Sequence, residues 1–111
     1  MRARQALAAA LCAAAPLAGC ASAPPPAPAA VVTVSNIAYS PATVTIPVGG
    51  SVRWDFADDG ILHHVMGDGL DSGIVGTGSY THTFNAPGTY SYHCSVHTVM
   101  AGAVIVTPEE P

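Results

Sequence analysis

The stretch Ser51-Val52-Arg53-Trp54-Asp55-Phe56 alternates polar and apolar side chains with a period of two. Successive side chains of an extended strand leave on opposite faces, so Val52, Trp54 and Phe56 share one face and Ser51, Arg53 and Asp55 the other. Such a segment reads as a half-buried strand rather than a helix. The period recurs on both sides of it. Val32-Thr33-Val34 and Ala42-Thr43-Val44-Thr45-Ile46 come before, and Tyr80-Thr81-His82-Thr83-Phe84, Tyr90-Ser91-Tyr92-His93-Cys94 and Ala103-Val104-Ile105-Val106 come after. Gly and Pro punctuate the gaps, as in Val48-Gly49-Gly50 and Asn85-Ala86-Pro87-Gly88. No stretch offers an amphipathic helix. Short strands at this spacing predict an all-β chain, a Greek-key β-sandwich of about seven or eight strands. The glycine-rich span from Asp58 to Gly78 is the least regular and is expected to hold one short strand, around His63 to Met66.

With 111 residues there is room for one domain, and the N-terminal end does not belong to it. Two arginines, Arg2 and Arg4, precede an Ala/Leu run that closes on Leu17-Ala18-Gly19-Cys20. A charged start, an apolar middle and small residues before a cleavage point describe an export signal, and Pro16 with the short apolar run argues against a permanent membrane span. The ending resembles the bacterial lipoprotein signal, in which the cysteine becomes the first mature residue and carries the lipid. Residues 1–19 are then the signal peptide, and residues 20–30 are the lipidated Cys20 and a Pro/Ala-rich linker. Residues 31–107 form the domain and 108–111 a tail. Ordinary cleavage near Ala23, discarding Cys20, is the alternative. The resemblance places the protein in the bacterial cell envelope, lipid-anchored to a membrane and facing the periplasm or exterior. A proline-rich spacer rises about 3.1 Å per residue, so the linker could hold the domain on the order of 30 Å from the anchor.

Losing the leader takes two of the 3 basic residues and leaves Arg53 against Asp55, Asp58, Asp59, Asp68, Asp71, Glu109 and Glu110. With no lysine and no basic cluster the domain has no electrostatic footprint for nucleic acid. An acidic surface suits a basic partner instead.

Of the 3 cysteines, Cys12 lies in the leader and Cys20 is assigned to the lipid, which leaves Cys94 with no partner in the chain. A lone thiol in an exported protein is inert and buried, pairs between chains, or binds metal as thiolate. Its neighbours favour metal. Cys94-Ser95-Val96-His97-Thr98-Val99-Met100 sets a thiolate, an imidazole and a thioether at Cys-x2-His-x2-Met spacing. Soft thiolate and thioether ligands select copper, and a His2Cys set with a weak axial Met describes a blue-copper site. Zinc has little use for a thioether. The missing imidazole is offered by His63 or His64. Strand alternation puts His63 with Val65 on one face and His64 with Met66 on the other, which favours His63, although a register slip of one residue would reverse the choice. His93 is expected to point away from such a site, and His82, on a face with Tyr80 and Phe84, to be structural.

From Val31 to Val106 the chain resembles the cupredoxin family, nearest its plastocyanin and amicyanin group. Asn36 to Val52 is similar to the family's opening hairpin turning through Val48-Gly49-Gly50, and Trp54 to its aromatic. His63-His64-Val65 resembles the first ligand segment, and Pro87 to Cys94 the approach to the ligand cysteine. The short Cys-x2-His-x2-Met loop is similar to that of amicyanin. The chain departs from the pattern at Leu62, where many relatives have Pro, and at His64, where Asn or Thr is common.

The resemblance implies one type 1 copper ion held by His63, Cys94, His97 and Met100, and a one-electron Cu(I)/Cu(II) shuttle between redox partner proteins; the acidic surface leads to basic docking surfaces on those partners, and a monomer is expected. His97 would be the electron port within an apolar patch that includes Val99 and Ala101. Copper storage, or delivery to an apo-enzyme, is the alternative, to which Met66 and His64 could add ligands. Enzymes of this family use several domains or a second copper centre, and the purple dinuclear site needs a second cysteine near Cys94, so no enzymatic activity is expected.

Overall fold

The computed structural model describes residues 26–109. The expected signal peptide, Cys20 with its lipid, the start of the linker and the last two residues of the tail lie outside the described residues. Nine strands, and no helix, run through the described part: β1 Ala30–Ser35, β2 Ala38–Ser40, β3 Thr43–Pro47, β4 Ser51–Ala57, β5 His63–Gly67, β6 Leu70–Val75, β7 Thr77–Thr83, β8 Gly88–His93 and β9 Ala101–Thr107. They form a four-stranded sheet in the order β2-β1-β4-β7 and a five-stranded sheet in the order β3-β9-β8-β5-β6. The pairs β1/β4 and β3/β9 are parallel, while the remaining ladders are antiparallel.

Alternation places the core. Val52, Trp54 and Phe56 of β4 turn inward together with Val32 and Val34 of β1, and they meet Ile46, Val65, Tyr92, Val104 and Val106 from the other sheet. Trp54 is fully buried between Tyr80 and Tyr92, its ring centroid 5.6 Å from the first and 5.3 Å from the second. Burying an aromatic of this size is a large apolar contribution to so small a core. His82 lies between Tyr80 and Phe84, 6.4 Å and 4.8 Å away by ring centroid, in the structural place expected of it.

Two expectations need correcting. Asp58 to Gly78 holds more than one strand: β5 and β6 form a hairpin across Asp68-Gly69, and β7 has begun by Thr77. Gly73, at φ 74°, breaks the period of β6 and hides it from a reading by alternation. The turn through Val48-Gly49-Gly50 does not close a hairpin either. It carries the chain from β3 in one sheet to β4 in the other. The first true hairpin is β1–β2, closed by Asn36 and Ile37, both at φ 55°. Two consecutive left-handed residues match the twist of a two-residue hairpin, but an isoleucine there is uncommon and needs outside support.

Candidate metal centre

Strand β8 delivers Tyr92 to the core and His93 to solvent, and the chain then leaves the ladder at Cys94, whose side chain is fully buried. The following loop folds back on itself. Met100 N–H donates to the His97 carbonyl at 2.9 Å, and Cys94 N–H donates to the Met100 carbonyl at 3.3 Å. These bonds bring both ends of the loop together before β9 begins, and Met100 is buried at 2% exposure. His97 N–H points at Cys94 Sγ, 3.4 Å away, as donors do around a thiolate.

His63 enters from β5 on the neighbouring strand and is fully buried. Its Nδ1 lies 4.0 Å from Cys94 Sγ, and His97 Nδ1 lies 3.9 Å from the same sulfur. One donor atom from each of the three residues falls within 4.8 Å of the others. The centre of such a triangle is within metal-bonding reach of all three donors. A cysteine sulfur flanked by two imidazole nitrogens, with a thioether residue buried on the same loop, is a soft and compact donor set that suits copper in both its oxidation states.

A carboxylate that reading the sequence did not single out sets the orientation of His63. Its Nε2–H donates to Asp58 Oδ2 at 2.8 Å, which fixes the tautomer that leaves Nδ1 free for metal. Asp58 also accepts the Ile37 N–H at 3.2 Å, supplying the support that the left-handed β1–β2 turn requires. Both bonds, the His63 one first, hold the Asp58 carboxyl below the usual carboxylate range. No local pattern announces this role, because one partner lies in the β1–β2 turn and the other on β5.

His64 is occupied elsewhere. Its Nε2–H donates to Asp71 Oδ1 at 2.7 Å, and its Nδ1 accepts the Ser95 hydroxyl, also at 2.7 Å. The ring thus ties the β5–β6 hairpin to the ligand loop, while the His64 carbonyl accepts the Tyr39 hydroxyl. That hydroxyl's pKa is raised, first by burial and then by its proximity to Cys94 and Tyr92. Met66, on the face of the sheet away from Cys94, is 39% exposed and brings no ligand to the centre.

A family model described as copper binding proteins of the plastocyanin/azurin family matches residues 28–107. The chain belongs to that family. It is 34% identical to amicyanin-alpha of Methylorubrum extorquens over 73% of this chain and 74% of the relative, and 34% identical to amicyanin of Paracoccus versutus over 73% and 67%. Among solved structures, a reduced Cu(I) amicyanin variant superposes with a TM-score of 0.66 at 29% identity, covering 74% of this chain and 85% of that one. A purple cupredoxin from Nitrosopumilus maritimus superposes at 0.62 with 28% identity, covering 70% and 99%. Like other members of the plastocyanin/azurin family, the chain is a type 1 copper protein of electron transfer, and copper is its cofactor.

Proposed function

We propose that the chain carries single electrons between redox partner proteins, with copper held by His63, Cys94, His97 and Met100. The observation that carries this is the buried Cys94 thiol set between two imidazole nitrogens at 4.0 Å and 3.9 Å. When bound, copper supplies a one-electron Cu(I)/Cu(II) couple. The protein's part is to keep the donors where they are in both states: Asp58 fixes His63, the β8–β9 loop bonds fix His97 and Met100, and burial keeps water from Cys94. Of the three clustered donors only His97 is partly exposed, which makes its ring edge the port.

Apolar side chains flank the two ring ligands in the chain. Leu62 precedes His63 at 52% exposure, and Val96 and Val99 bracket His97 at 43% and 83%. They form the surface on which a partner would press against His97. Arg53 is tied to Asp55 at 2.8 Å, and the domain as a whole carries more acidic than basic residues, which favours a basic partner. In this reading the chain is a carrier that catalyses no reaction of its own, and it acts as a monomer.

Cys20, by the same proposal, carries a lipid that tethers the domain to a membrane of the bacterial envelope, facing the periplasm or exterior, with Leu17-Ala18-Gly19-Cys20 as its support. Cys20→Ala is expected to release a copper-binding domain from membrane fractions; a wild-type mature N-terminus free of lipid refutes the anchor.

The test of the carrier is a visible absorption and EPR spectrum of the Cu(II)-loaded protein. An intense blue thiolate charge-transfer band with narrow hyperfine splitting is expected, and Cys94→Ser bleaches it. Tight copper binding with no such band would replace electron transfer by storage or delivery.

A further inference from the structure

The outer face of the five-stranded sheet carries donors that the copper centre does not use. Register sets Met66 of β5 opposite Asp71 of β6 on one side and opposite His93 of β8 on the other. Directly opposed residues of antiparallel strands send their side chains to the same face, their Cβ atoms about 4.5–5.5 Å apart. All three residues are exposed. A carboxylate, a thioether and an imidazole therefore stand in one row across three strands. His64 shares the face but has both ring nitrogens committed, to Asp71 and to Ser95. Asp71 makes its bonds to His64 and to the Gly73 N–H through the same oxygen, Oδ1.

The row is separate from the buried centre. Tyr92 and Cys94 turn inward, and His93 between them turns out. Thioether and imidazole together select soft cations, and the three rotatable bonds of methionine let its sulfur close on an ion held by the ring opposite. We propose that Met66 and His93 form a second, solvent-facing site for a soft monovalent cation, Cu(I), with Asp71 supplying negative charge beside it.

The experiment titrates the protein, already loaded with copper and reduced to Cu(I), anaerobically with further Cu(I) against a chromogenic Cu(I) chelator. The His93 ring resonances are followed by NMR. Wild type is expected to hold one ion beyond the buried one, with the His93 ring shifting as it fills. Met66→Leu and His93→Gln are each expected to weaken that ion by about tenfold or more, since loss of even an outer partner of a metal costs this much. Both side chains face solvent, so both variants are expected to keep the blue band on oxidation. A wild type that retains nothing beyond the buried ion overturns the proposal, and so does a second ion kept equally by both variants. Absence of the blue band in wild type would count against the carrier reading alone, because the His93 shift reports the outer ion independently.

Discussion

His63 Nε2 lies 2.8 Å from Asp58 Oδ2, and that bond turns the ring's other nitrogen toward Cys94. Its neighbour His64 is claimed by a different carboxylate, Asp71, at 2.7 Å. Two adjacent histidines are thus sorted by two acidic residues that hold them from different directions, one toward the metal and one toward the ligand loop.

Asp58→Asn keeps the shape of that contact and removes its charge. A negative group behind a ligand imidazole stabilises the more positive Cu(II), so the variant is expected to show a higher reduction potential and a loss of about 10–100-fold in copper affinity. Voltammetry and chelator competition measure the two. An unchanged potential would show that the carboxylate does not act through the ring.

Glycine substitution separates the histidines. His63→Gly is expected to lose the blue spectrum until free imidazole fills the gap, whereas His64→Gly keeps the colour and releases the ligand loop from the β5–β6 hairpin. If His64→Gly is the variant that needs imidazole, the ligand assignment on β5 is reversed.

Acid is expected to weaken the copper-free fold in a specific window. Asp71 is held below the usual carboxylate range, first by the His64 hydrogen bond and then by the Gly73 N–H. A lowered folded-state value means that the unfolded chain binds protons first as pH falls. The stabilisation is complete above the unfolded carboxylate value of about 3.9 and is lost as pH falls through the folded one. Urea midpoints measured below about pH 4 are expected to fall less steeply for Asp71→Asn than for wild type; equal slopes would show that the pair contributes nothing to the acid limb.

Gly102→Ala tests the packing beneath the ligand loop. A Cβ at Gly102 would run into the Tyr92 ring, with Cε2 at 2.8 Å and Cζ and the hydroxyl nearer still. Overpacking of this kind costs about 1–3 kcal/mol. Urea unfolding is expected to report a loss in that range, and an unchanged midpoint would mean that the Tyr92 ring can move aside.

What could be read from the sequence followed local geometry. The alternation of Ser51 to Phe56 becomes β4, and the same rule turns His63 and Val65 inward together. The spacing of Cys94, His97 and Met100 is local as well, since one loop carries them all. Asp58 stayed hidden because its importance rests on Ile37 and His63, which only the tertiary fold brings to it. A Val-Gly-Gly turn serves a hairpin or a passage between sheets equally well, so the separation of β3 from β4 left no local sign. The β5–β6 hairpin did leave one: Asp68-Gly69 is a strong short-range turn signal, obscured by Gly73 a few residues later.

Strand β5 meets β8 at two pairs of residues, Met66 with His93 and Gly67 with Tyr92, and beyond β5 stands only the edge strand β6. So short a ladder makes the hairpin that supplies His63 a natural unit of local opening. Amide exchange in the copper-free protein would begin there, with β1 and β4 closed for far longer. His63 on one side of this seam and Cys94 and His97 on the other would hold the metal together, so bound metal would favour the closed hairpin and slow its opening. Copper retention and hairpin closure are then one equilibrium seen from two sides, and the time an ion stays in the protein is a clock for how often that edge of the sheet comes undone.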